Sequence, residues 1–209
     1  VANVVSVNVG EQRDVEWFGR IVRTAIWKEP VDGRVEVRGV NLAGDDQADR
    51  RVHGGPDKAV YAYSVEDYGW WAEQGVDVGP GTFGENLTTD GLDLRGAVIG
   101  ERWSVGSTVL EVAQPREPCF KLGIRMGTAA FKDRFAEADR PGVYLRIVEE
   151  GDVGAGDTIE VVHRPEHGLT VVDLLHTTAD PTPEGLRRFL ALDATPAWWR
   201  EWAERQLTR

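Results

Sequence analysis

Cysteine is almost missing from this chain of 209 residues: there is one, Cys119, and one methionine. A lone thiol forms no internal disulfide and cannot by itself supply a multi-cysteine zinc or iron–sulfur site. Three readings of it stay open: an inert packed side chain, a nucleophile, or the one protein ligand of a metal otherwise held by a cofactor. Long apolar runs are also absent, which excludes a membrane-spanning helix. The first seven residues lack the basic start and apolar centre of a signal peptide and read as a strand. Basic charge is scarce as well, 24 Lys and Arg against 35 Asp and Glu, for a formal net charge of −11. That balance argues against direct nucleic-acid binding, which needs a cationic footprint. With a single unpaired cysteine it fits the reducing cytoplasm. There is no Gly-x-Ser-x-Gly elbow, no Walker loop and no dinucleotide fingerprint.

What is present, up to about residue 163, has the texture of a β protein. Short β-branched runs recur between Gly, Asp and Pro at residues 4–9, 20–27, 35–40, 59–63, 102–105, 108–113, 143–148 and 158–162. Many short strands with such punctuation predict a mainly β fold, a barrel or sandwich. Ser64-Val65-Glu66-Asp67 resembles a capping box and predicts a helix through Glu73, and a second helix is expected over 128–138. After Arg164-Pro165 the texture turns helical. Thr170 caps one expected helix, Thr182-Pro183 opens a second and Thr195-Pro196 a third. We therefore expect a barrel domain over 1–164 and a small three-helix bundle over 165–209, too small to stand alone and so packed on the barrel or on a second copy in a homodimer.

Three segments carry residue types suited to chemistry. In Gln114-Pro115-Arg116-Glu117-Pro118-Cys119-Phe120-Lys121, two cations flank the thiol, and nearby cations favour thiolate. The prolines stiffen its approach. In Val52-His53-Gly54-Gly55-Pro56-Asp57-Lys58, the glycines let backbone come close to a ligand while His53 and Lys58 offer donors to an anion. The same string is also ordinary turn chemistry. In Phe83-Gly84-Glu85-Asn86-Leu87, the amide of Asn86 suits the edge of a purine or pterin ring, and the carboxylate of Glu85 suits ring amines as an acceptor. On spacing alone, an irregular loop with a turn-forming asparagine is the better explanation. His163 and His167 are four apart, but Pro165 between them opposes the helix that would align them on a metal.

Together with Gly44-Asp45-Asp46-Gln47-Ala48-Asp49, these segments resemble in order and spacing the MOSC domain family, and within it the YiiM-like branch that confers resistance to N-hydroxylated bases. The resemblance extends to the helical tail. It implies a MOSC-type β-barrel that binds the molybdenum cofactor, a pterin dithiolene bearing a phosphate. It implies that Cys119 ligates the metal, that His53, Gly54, Gly55, Asp57 and Lys58 form one wall of the cofactor site, and that Asn86 and Arg116 form another. Lys28 matches the branch pattern too, and Lys121 belongs with the cations suited to the phosphate.

The expected function is reduction of N-hydroxylated compounds, such as hydroxylaminopurines, to amines. His53 or Asp57 is a candidate proton relay by residue type. With one cysteine and no flavin or nicotinamide signature, electrons would come from an external donor protein. A sulfur carrier with a persulfide on Cys119, or a non-catalytic cofactor carrier, remains the alternative.

Overall fold

The computed structural model describes residues 1–48 and 54–208. Strands form where small or β-branched apolar residues alternate with polar ones. In Arg34–Arg38 only the two valines are buried, as expected for a pleat with one face on the core. The strands among the described residues are β1 (Ala2–Val9), β2 (Arg13–Trp17), β3 (Arg20–Thr24), β4 (Glu29–Pro30), β5 (Arg34–Arg38), β6 (Asn41–Leu42), β7 (Val60–Ser64), β8 (Leu87–Asp90), β9 (Arg102–Val105), β10 (Thr108–Pro115), β11 (Val143–Glu149), β12 (Gly151–Gly154) and β13 (Thr158–His163). The helices are α1 (Val65–Glu73), α2 (Phe120–Arg125), α3 (Phe131–Glu137), α4 (Val171–Ala179), α5 (Pro183–Leu190) and α6 (Ala197–Leu207).

The mainly β expectation holds. Seven strands, in the order β13-β9-β10-β11-β7-β8-β1, close into a barrel when Ala2 and Asn3 of β1 pair with Ile159 and Thr158 of β13. Closure removes the exposed edges that an open sheet would have to protect. The pairings are antiparallel except β7 with β8, which run parallel through Ala62 opposite Leu87. A parallel neighbour needs a long crossover, and residues 65–86 supply it as α1 and a glycine-rich loop. The β2–β3 hairpin and a three-stranded sheet, β12-β5-β6, lie outside the barrel.

Two apolar clusters hold this frame. One fills the barrel with residues such as Val60, Leu110 and Leu145, and continues into the tail through Leu174, Phe189 and Trp199. The other is aromatic: Tyr63, Trp71, Phe83, Phe131 and Phe135 join β7 to α1 and α3, with Tyr63 and Phe83 centroids 4.6 Å apart. Burial on this scale is the dominant stabilising term.

Local capping follows the sequence closely. Ser64 Oγ accepts from the Asp67 amide at 3.2 Å, although the Asp67 carboxylate turns to Arg140 instead of closing the box. Thr170 and Asp173 form a complete box, and Thr182 caps α5 ahead of Pro183. Thr195 differs from expectation: Pro196 is the cap of α6, while the Thr195 hydroxyl donates to the Phe189 carbonyl at 2.7 Å. The expected strand over 20–27 stops at Thr24. Among the described residues no helix is long and apolar enough to cross a membrane.

Trp199 is fully buried and donates through Nε1 to Thr178 Oγ1 at 2.8 Å. Trp199→Ala is expected to cost about 3–5 kcal/mol. Because tail and barrel share one cluster, denaturant unfolding of the variant should stay a single transition by both circular dichroism and fluorescence. A separate early transition of the tail would contradict the shared core.

Candidate functional site

The site begins at a fault in the sheet. Between Val112 opposite Leu145 and Gln114 opposite Tyr144 the β10–β11 register slips, leaving Ala113 without a partner. Such a bulge re-aims the residues beyond it. Pro115 ends β10, and the chain reaches Cys119 in extended geometry, φ −126° and ψ 164°, where α2 begins. Cys119 is half-buried. It opens onto a cleft whose lining also carries Lys28, Lys58, Asn86, Arg116 and Lys121. Residues far apart in sequence are thus gathered around one thiol.

Arg116 is the most unusual of them. It is 6% exposed, its guanidinium carbon lies 5.4 Å from the ring centroids of both Tyr61 and Phe135, and its Nη1 has no hydrogen-bond partner. No carboxylate pairs with it among the described residues. A buried cation so placed carries a desolvation cost that an anion in the cleft would offset. Burial pushes the guanidinium pKa down, but Tyr61, Cys119 and Tyr144 outweigh it and hold the group charged.

Lys28 has a partner. Its Nζ donates to Asp45, which also accepts from the Gly10 amide at 2.9 Å and, on its other oxygen, from Asn86 Nδ2 at 3.0 Å. Burial lowers the Lys28 pKa, and Asp45 opposes that shift. The backbone at Trp27 and Lys28 runs between two glycines: a Cβ at Gly10 would collide with the Trp27 carbonyl, and one at Gly81 with the Lys28 carbonyl. Lys58 ends the single 3₁₀ turn Pro56–Lys58, entered through Gly55 at φ 93°, which only glycine adopts freely. Burial lowers the Lys58 pKa too, against the raising influence of Glu117 and Asp57.

Other expected residues lie elsewhere. Asp57 faces away from the cleft: its carboxylate accepts from Arg146 Nε at 2.5 Å, across the barrel wall, and its carbonyl accepts from Gln114 Nε2 at 3.1 Å. It is a structural brace rather than a relay at the thiol. Gly54 lines a neighbouring groove with Asp57. His53 lies outside the described residues. Asn86 lines the cleft, but its amide is already committed, Oδ1 accepting from the Tyr61 amide at 3.0 Å and Nδ2 donating to Asp45 and to Asn8 O. Glu85, read as an acceptor for ring amines, turns inward. It is fully buried and accepts from the Gly81 amide at 2.6 Å, the Phe83 amide at 3.0 Å, Thr88 Oγ1 at 3.2 Å and the Tyr68 hydroxyl.

Asp45, Tyr61 and Tyr144 also line the cleft without having been singled out. Asp45 had a signal, its place in the Gly44-Asp45-Asp46 segment. The tyrosines had none, since strand tyrosines are ordinary core residues.

A family model described as the MOSC domain matches residues 49–160. The Bacillus subtilis (strain 168) protein YflK is 37% identical over 170 residues, covering 81% of this chain and 77% of its own. Protein YiiM of Escherichia coli (strain K12) is 35% identical over 146 residues, 68% of this chain and 65% of its own. A protein named Reductase from Gibberella moniliformis (strain M3125 / FGSC 7600) is 34% identical over 164 residues, 75% of this chain but 29% of that longer protein. Among solved structures, YiiM from Geobacillus stearothermophilus superposes with a TM-score of 0.82 at 27% identity, covering 99% of this chain and all of that one.

Burial pushes the Glu85 carboxyl from 4.5 up to about 7, against the hydrogen bonds it accepts. The native state therefore binds this proton more tightly than the unfolded chain, so Glu85 supports the fold at low pH and loses that support as pH rises through 7. Between pH 4.5 and 7 its contribution should fall by at most about 3–4 kcal/mol, at roughly 1.4 kcal/mol per pH unit. Glu85→Gln, which keeps the shape and an acceptor, should flatten this part of the stability–pH profile measured by urea unfolding. An identical slope in the variant would show that Glu85 does not titrate there.

Proposed function

The chain belongs to the MOSC domain family, and on that premise we propose that it is a molybdenum-cofactor-dependent oxidoreductase that reduces N-hydroxylated compounds, hydroxylaminopurines among them, to amines. The observation that carries this reading is a single thiol sharing a cleft with a buried, unpartnered guanidinium nitrogen. The donor set fits the cofactor. Thiolate is a soft ligand of the kind molybdenum accepts. Among the described residues no group of three or more His, Cys, Asp and Glu side chains is arranged to hold a bare ion, so the other donors would arrive with the pterin dithiolene. Arg116, Lys58 and Lys121 suit its anionic portions.

When bound, the cofactor supplies the two electrons that break the N–O bond of the substrate. Cys119 Sγ would hold the metal, and Arg116 Nη1 would donate to an anionic group of the cofactor, while Lys28, locked on Asp45, stiffens the lining next to Asn86. Reduction of a hydroxylamine to an amine and water consumes two protons. Lys58, which lines the cleft, is suited to deliver one, since burial lowers its pKa and eases release. The electrons come from a separate donor protein in the cytoplasm.

The test is purification of the full chain from a molybdenum-competent host, with molybdenum and pterin measured on the parent and two variants. We expect close to one cofactor per parent chain. Cys119→Ala should lose turnover of a hydroxylaminopurine, and Arg116→Met should retain at least tenfold less cofactor. A parent that takes up no cofactor even after reconstitution overturns the reading. Sulfane sulfur on Cys119 by mass spectrometry would favour a sulfur carrier in its place.

A further inference from the structure

Beside the cleft lies a groove lined by Gly54, Pro56, Asp57, Lys58, Gln114, Glu117 and Trp198. Trp198 sits on the first turn of α6 and is 36% exposed, whereas Trp199 next to it is fully buried. One exposed tryptophan is unremarkable in itself; its fixation is what matters. Its Nε1 donates to Gln114 Oε1 at 2.9 Å, and Gln114, buried, spends its Nε2 on the carbonyl of Asp57. A second bridge runs in parallel, with Arg146 donating to the Asp57 carboxylate at 2.5 Å and to the Ala194 carbonyl, just before α6, at 2.7 Å. The start of α6 and the residues just before it are thereby locked to the Lys58 turn by two hydrogen-bonded bridges that converge on Asp57.

The groove and the cleft meet at Lys58, which lines both. Its Nζ lies 5.8 Å from the Trp198 ring centroid and 6.0 Å from that of Tyr144, a wall of the cleft. Glu117, two residues before Cys119, brings a carboxylate into the same groove. A fixed, part-exposed indole with Lys58 Nζ over its ring and Glu117 lining the same groove matches a planar, nitrogen-rich ring: the exposed part of the indole stacks, Glu117 accepts from ring N–H or amine groups, and Lys58 donates to ring nitrogens. An aliphatic ligand would use none of the stacking surface.

We propose that this groove is the substrate-ring subsite, in which the planar ring of an N-hydroxylated heteroaromatic compound stacks on Trp198 while its exocyclic group extends past Lys58 into the cleft. The proposal rests on the reductase reading of the cleft and gives the helical tail a direct part in substrate choice.

Calorimetric titration of 6-hydroxylaminopurine into the full chain tests it, with Trp198→Ala, Trp198→Phe and Glu117→Gln as variants and thermal midpoints recorded for each. Binding should weaken about tenfold in Trp198→Ala and stay within about threefold in Trp198→Phe, the range one stacked base supplies. Glu117→Gln, an exposed and conservative change, should weaken binding about fivefold, which keeps the test decisive if Trp198→Ala folds poorly. Parent-like affinity in both Trp198→Ala and Glu117→Gln, or no binding by the parent, overturns the subsite even if loaded protein reduces hydroxylamine itself. Loss of binding in the variants, together with loaded parent that reduces neither compound, upholds the ring site and overturns the reductase reading instead.

Discussion

A buried carboxylate, Asp45, holds together much of the lining of the cleft onto which Cys119 opens. Its side chain is 2% exposed and takes an ammonium from Lys28, a backbone amide from Gly10 and a side-chain amide from Asn86. Through these it joins the ends of β1, the segment beyond β3 and the crossover loop before β8. Asn86 extends the network to β7 by accepting from the Tyr61 amide. Taking two charges out of water is costly unless each is fully partnered, and removing one partner leaves the other stranded. The arrangement therefore specifies one geometry of that lining more than it adds stability.

Arg116, in the same lining, has the reverse character. It is as deeply placed as Lys28, yet it leans on aromatic rings and keeps a donor unspent. Lys28 is closed electrostatically on Asp45, whereas Arg116 has a donor left for an anionic ligand. The aromatic cluster that Arg116 touches, with Phe83 and Phe135 packed on Tyr63, keeps its surroundings stiff. The helical tail adds a third support, because Trp198 and Ala194 both reach the turn that carries Lys58.

Much of this was legible in the sequence, for local reasons. Short β-branched runs and turn residues located most barrel strands, and Thr170 and Thr182-Pro183 marked two helix starts that the structure contains. The strand Leu87–Asp90 was not legible, because its residues, Leu87-Thr88-Thr89-Asp90, follow a loop and become a strand only through the parallel pairing with β7. The gathering of Lys28, Lys58, Asn86 and Arg116 around Cys119 came from the family resemblance, not from periodicity. What no local pattern exposed was commitment. Asp57 looked like a proton relay, but Arg146, 89 residues away, already occupies it. Asn86 and Glu85 looked available to a ligand, yet their polar atoms are spent on the protein's own backbone and side chains. Residue type shows capacity, and only tertiary contacts show whether that capacity is free.

The central claim is that Cys119 is the protein's ligand to a cofactor-held metal. X-ray absorption at the molybdenum edge, on loaded parent and loaded Cys119→Ser, addresses it without reference to turnover. The parent should show one more sulfur neighbour at the metal than the variant. Equal sulfur coordination in the two would contradict the assignment and return Cys119 to an ordinary cleft residue.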